Sequence, residues 1–158
     1  MSGMIVLGIG NRFGGDDAAG NCVVDMLNQR KKRADASLLT EITAIDTGTA
    51  PESYTSVIRQ HRPDLLIMVD AADMGLQPGA LRIIPPEKIS VLSFSTHHMP
   101  LSMFVSYVNE FCGKTLLVGV QPEGTGMNKH LSKTVRKSVK ELAQFILEER
   151  VAEIPLLT

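Results

Sequence analysis

Cysteine is nearly absent from this chain: Cys22 and Cys112 are the only two. That is too few for a disulfide framework, and both stand in helix-like patterns, so they read as buried free thiols in a reducing cytoplasm. No excess of charge of either sign exists, with 16 basic against 17 acidic residues, which removes any global attraction to nucleic acid or an anionic membrane. No apolar run exceeds strand length, so no segment is expected to span a bilayer. Residues 1–15 lack the features of a secretory signal. Repeats and low-complexity linkers are missing too. The expectation is one domain over residues 1–158 with a core of its own.

What is present alternates between strand and helix patterns. Met4 to Gly10 is apolar without alternation, as in a strand buried on both faces. A helix is predicted from about Asp17 to Arg33, with Ala19, Val23, Met26 and Leu27 on one stripe and the basic run Arg30–Arg33 suiting its C-terminus. A second strand is predicted from Leu38 to Ile45. Thr49-Ala50-Pro51-Glu52 has the spacing of a capping box opening a helix to about His61. Leu65–Val69 reads as a third buried strand, and Gly79–Pro86 as a short edge strand, antiparallel to its neighbour. A helix from Pro100, capped by Gly113, a strand over Thr115–Val120 and a helix from about Lys129 to Arg150 complete the pattern. The predicted fold is α/β: a three-layer sandwich with a mostly parallel twisted sheet of about five strands and helices on both faces.

In such sheets ligands gather beyond the carboxyl ends of the strands. Asn11, Asp16 and Asp17 arrive there after the first strand, Asp46 after the second and Asp70 after the third, and His97 and His98 lie in a loop before a helix. Carboxylates and an imidazole from separate strand ends suit a divalent metal. Each also has a plainer role: Asp16 as a helix N-cap, Asp17 as a first-turn acid, Asp70 as the cap of a turn. Asp73 reads as turn chemistry, and His61 and His130 as surface residues. Gly8-x-Gly10-x-x-x-Gly14 resembles a dinucleotide fingerprint, but Asp16 and Asp17 place negative charge where a pyrophosphate would sit. "DTGT" at Asp46–Thr49 matches half of an aspartic-protease pair, and that chemistry needs two copies. Neither a Gly-x-Ser-x-Gly elbow nor a His-Glu-x-x-His zinc motif occurs.

The segments "GIGNRFGGDDAAG", "DTGTAPE", "RPDLLIMVDAADMGLQPGALRII", "STHHMPL" and "LLVGVQPE" together resemble the hydrogenase maturation endopeptidases. These are small α/β proteins that trim the C-terminus of the large subunit of nickel–iron hydrogenases. The third and fourth segments are similar to the type serving the hydrogen-evolving hydrogenase of formate hydrogenlyase. The resemblance implies metal contacts at Asp17, Asp70 and His97, and substrate processing at the loop of Asp46, Gly48 and Thr49, with Asn11 beside it. Thr47 departs from the glycine common at its position. The implied activity is removal of a C-terminal peptide from the hydrogenase precursor once nickel is installed, the nickel being carried by the substrate. In isolation the site would take another divalent cation. Water activation is left to the metal, to Asp46 or to Asp16. The competing expectation is a non-catalytic nickel-binding assembly protein, kept open by the missing nucleophile and zinc-protease motifs. NAD added in excess is expected to leave the thermal unfolding midpoint unchanged. A rise in that midpoint, abolished by a bulky substitution at Gly10, would reinstate the nucleotide reading.

Overall fold

A computed structural model describes residues 2–33, 41–94, 99–124 and 130–158. The first apolar run forms β1 (Ser2–Ile9), flanked in parallel by β2 (Ile42–Gly48) and β3 (Pro63–Asp73). Beyond β3 lie β6 (Lys114–Val120), also parallel, and β4 (Leu81–Ile83), antiparallel to β6, giving the order β2-β1-β3-β6-β4. A two-residue strand, β5 (Ser93–Phe94), pairs antiparallel with the end of β3. The mostly parallel α/β sheet and its antiparallel edge strand therefore match the sequence reading, with one strand more than the five expected.

Helices cover both faces. Against one lie α1 (Ala19–Arg33) and α5 (Lys133–Leu147), which bury Val23, Leu27, Val139, Leu142 and Ile146 on Val6, Ile67 and Val118. Against the other lie α2 (Thr55–His61), the single turn α3 (Pro86–Ile89) and α4 (Leu101–Val108), bringing Ile58, Ile89, Leu101 and Phe104 onto Leu7, Leu66 and Met68. Successive residues of β1 and β3 serve opposite cores, which is why their sequences are continuously apolar. Among the described residues, no helix is long and apolar enough to cross a membrane.

Several boundaries differ from the sequence reading. β2 continues through Asp46 to Gly48, while residues 38–40 of the predicted strand fall outside the described residues. β3 extends to Asp73, so Asp70 lies inside a strand rather than after one. The extension has partners: Asp70 pairs with Gly119, Ala71 with Val120 and Ala72 with Phe94, and available neighbours override the weak strand propensity of aspartate. No side chain caps the 3-10 turn at Pro51–Tyr54; Ala50 occupies the N-cap position, so Thr49 is released from the predicted capping box. The last helix begins at Lys133 with Ser132 as its N-cap, leaving Leu131 ahead of it. Gly113 is not a left-handed cap. Its N–H donates to Pro63 O at 3.0 Å, and its missing side chain lets the backbone pass against Asp64.

One close approach positions the functional edge. At Gly20 a β-carbon would stand 2.4 Å from the carbonyl oxygens of both Ile9 and Val69, so α1 rests directly on the backbones of β1 and β3. Gly20→Ala separates two effects of opposite sign. Replacing a helical glycine by alanine ordinarily stabilises by about 0.5–1 kcal/mol, whereas overpacking against fixed backbone costs about 1–3 kcal/mol. Denaturant unfolding of Gly20→Ala is expected to show net destabilisation.

Candidate functional site

The chain leaves β1 through Gly10, turns over Asn11–Gly14 and enters a 3-10 turn at Gly15–Ala18 that runs into α1. Alanine at Gly10 would put its β-carbon 2.1 Å from the Asp17 carbonyl oxygen, at a φ of +155°. The turn therefore folds back tightly on the helix start. Across from it, the β1–β2 pairing shifts register: Gly8 faces Asp46, but Ile9 faces Gly48. Thr47 is the extra residue of this bulge, and its buried hydroxyl donates to Gly8 O at 3.2 Å. Bulges re-aim neighbouring side chains. Thr47 is thus held by a hydrogen bond within the strand pair.

Between the two segments lies an open cavity of about 530 Å³, walled by the Gly10–Phe13 turn, by Asp17 and Asn21, and by Asp46, Gly48 and Thr49. Asn11, Asp17, Asp46, Gly48 and Thr49, all named from the sequence, are brought together here. Asp46 is held from three sides. Its Oδ1 accepts from Asn21 Nδ2 at 2.7 Å and from Gly48 N at 2.9 Å, and its Oδ2 accepts from Arg12 Nε at 2.8 Å. The other guanidinium nitrogens of Arg12 donate to both oxygens of Asp25 at 2.8 and 2.7 Å. The hydrogen bonds to Asp25 and, in second place, the Asp46 carboxylate hold the Arg12 proton more firmly than usual, against some desolvation. The result is a fixed positive charge between two carboxylates.

Asp16 and Asp17 divide sharply. Asp16 is buried, and its own 3-10 turn is capped by Gly14 without a side-chain bond, so the N-cap expected of it is absent there. It caps a different helix. Asp16 Oδ1 accepts from Ser132 N at 2.7 Å, and Oδ2 accepts from Ser132 Oγ at 3.0 Å and Glu123 N at 2.8 Å. Ser132 is the N-cap of α5 and accepts from Val135 N at 3.3 Å. In a capping box the third helical residue supplies the reciprocal carboxylate. Here that residue is valine, and Asp16 supplies the group across the fold. Asp17 instead faces the cavity and is partly exposed.

Asp70 is fully buried in β3, one residue beyond the Val69–Gly8 pair, at the same sheet edge but not on the cavity wall. Asp17 and Asp70 each take part in polar or electrostatic interactions within the chain. His97 and His98 lie outside the described residues. Among the described residues, no three histidine, cysteine or acidic side chains converge on a metal-sized point. Asp73 does form the expected turn: its Oδ1 accepts from Gly75 N and from Gln121 Nε2, each at 3.2 Å, and the Gln121 bond followed by the Gly75 bond holds its carboxyl below the usual range. His61 and His130 are exposed, as expected. Cys22 and Cys112 are free but only half-buried, and desolvation pushes both thiols up, the wrong direction for a thiolate nucleophile.

Sequence reasoning missed Arg12, Asn21 and Asp25. A signal for two of them exists: Asp17, Asn21 and Asp25 repeat at intervals of four, a polar row along one helical face. Arg12 carries none, because its partners are 13 and 34 residues away.

Comparison with known proteins agrees with this architecture. A family profile described as hydrogenase maturation protease matches residues 22–149. The chain is 33% identical over 141 residues to the hydrogenase 3 maturation protease of Escherichia coli strain K12, covering 89% of this chain and 86% of that protein. A crystal structure of a hydrogenase 3 maturation protease superposes with a TM-score of 0.83 at 32% identity, covering 99% of this chain and 97% of the other. A NiFe hydrogenase maturation protease, HycI, of Thermococcus kodakarensis gives a TM-score of 0.78 at 33% identity, over 94% of this chain and 92% of the other.

The two ionic arrangements differ in what they do for stability. The Arg12–Asp25 pair is about half exposed, so Asp25→Ala is expected to cost less than about 1 kcal/mol. Asp16→Ala removes a buried carboxylate with three donors and is expected to cost about 2–3 kcal/mol in denaturant unfolding. Equal losses in the two variants would contradict these assignments.

Proposed function

The chain belongs to the hydrogenase maturation protease family, and from that membership we propose that it is the endopeptidase removing the C-terminal peptide from the precursor of a nickel–iron hydrogenase large subunit after nickel insertion. The observation that carries this reading is the carboxylate-lined cavity beyond the carboxyl ends of β1 and β2, the edge at which open α/β sheets receive ligands. Asp17 stands on its wall and Asp70 at the same edge. The side-chain types of Asp17, Asp70 and His97, two carboxylates and one imidazole, are the donor chemistry of a borderline divalent ion held reversibly. In this reading Asp17, Asp70 and His97 complete the coordination of nickel that arrives in the substrate. Cleavage therefore waits for metal insertion.

Hydrolysis adds the oxygen of water to the peptide carbonyl carbon, breaks the C–N bond and delivers a proton to the departing nitrogen. Of the two carboxylates that the sequence leaves as proton acceptors, Asp46 is the better placed: it faces the cavity, whereas Asp16 is buried in the cap of α5. Asn21 and Arg12 fix the orientation of the Asp46 carboxylate, and a substrate-borne metal held at this edge would supply polarisation of the carbonyl.

Mass spectrometry of nickel-loaded and nickel-free precursor incubated with the chain tests this reading. The loaded form is expected to lose a short C-terminal peptide and the nickel-free form to stay intact. Asp17→Ala, Asp70→Asn and His97→Ala are expected to stop cleavage while His98→Ala does not, and Asp46→Asn to slow it by roughly 10²–10⁴-fold. Binding of the loaded precursor without cleavage would replace the peptidase by a nickel-binding assembly protein.

A further inference from the structure

Phe13 is 85% exposed, the most exposed of the large apolar side chains among the described residues, and it stands on the rim of the carboxylate-lined cavity. The turn that carries it is rigidly built. Asn11 Oδ1 accepts from Phe13 N at 3.0 Å, Asn11 O accepts from Gly14 N at 3.0 Å, and Asn11 N donates to Asp17 O at 3.2 Å. Arg12, the residue before it, is pinned to α1 and β2 through Asp25 and Asp46. The polar side chains of Asn11 and Arg12, although exposed, are tied down by these bonds, and the aromatic ring stands out beside them. Single exposed apolar residues are common on protein surfaces. This one differs in standing at the mouth of a cavity on a hydrogen-bonded turn, so its backbone needs no further ordering when a partner covers the ring.

We propose that Phe13 is a docking anchor for the protein substrate, covered on binding by an apolar patch of the precursor next to the segment that enters the cavity. The occupant rests on the reading of the chain as a precursor-processing endopeptidase. The anchor is argued from continuity with the cavity: a polypeptide seated against Asp17 and Asp46 lies beside the Gly10–Phe13 turn that walls one side, and Phe13 is the large apolar side chain of that wall. Aromatic side chains at the centre of an interface commonly dominate its affinity. In this account binding energy from a place remote from the scissile bond registers that bond over the cavity.

The test titrates nickel-loaded precursor with the wild-type chain, Phe13→Ala and Phe13→Trp by calorimetry, and follows cleavage of the same precursor. Phe13→Ala is expected to weaken binding and raise KM by about tenfold or more, with a far smaller change in kcat and an unchanged melting temperature; Phe13→Trp is expected to keep most of the affinity. If Phe13→Ala binds and cleaves like the wild type, the anchor is wrong and the endopeptidase reading stands. If the wild type binds through Phe13 but does not cleave, the anchor stands and the activity falls. If the wild type does not bind the precursor, both fall. Sedimentation of the chain alone covers the remaining occupant: a dimer that Phe13→Ala dissolves would assign the ring to a second copy and overturn the proposal.

Discussion

Where α1 crosses β1 and β3, helix backbone lies on strand backbone with no side chain between, because Gly20 meets the carbonyls of Ile9 and Val69. That contact decides where the functional groups of this chain can stand. It draws the start of the helix down to the carboxyl edge of the sheet and forces the linking turn to fold back at Gly10. Asp16 and Asp17 are thereby delivered to one point, adjacent in sequence but facing different surroundings. The same edge receives Asp46 from β2 and Asp70 from β3, the two strands that flank β1.

Gathering acidic groups at one edge is electrostatically unfavourable unless each is given a distinct environment. Asp16 is neutralised by backbone and hydroxyl donors at the cap of α5. Asp25 and Asp46 share the guanidinium of Arg12, and Asp46 takes further donors from Asn21 and Gly48. Asp17 sits where the positive end of a helix favours a carboxylate and where the cavity gives it access to a ligand. The arrangement suits a cation brought from outside better than a phosphate, and it explains why a glycine-rich turn after a first strand carries acid here.

Much of the fold was legible because β1, β3 and β6 are buried on both faces and therefore read as unbroken apolar runs. Asp46 and Asp70 were legible for the same reason, since each closes an apolar run that could be found, although both strands continue past them. What stayed hidden depends on pairings distant in sequence. The bulge that aims Asp46 exists only in the register between Gly8 and residues 46–48, and Asp16 serves Ser132, 116 residues away. The extension of β3 past Val69 needed β6 and β5 beside it. Thr49 has capping-box spacing, yet the chain takes Ala50 as the N-cap and turns Thr49 to the cavity. Local chemistry proposed a cap, and the bulged strand before it decided otherwise.

The central claim is that this edge recognises a metal carried by the substrate. Nickel-edge X-ray absorption on nickel-loaded precursor, frozen immediately after mixing with the chain, examines that contact itself. The account predicts additional oxygen and nitrogen donors around nickel in the mixture, absent when the chain carries Asp17→Ala. A nickel spectrum that the wild-type chain leaves unchanged, under conditions where the two proteins are bound, would contradict it.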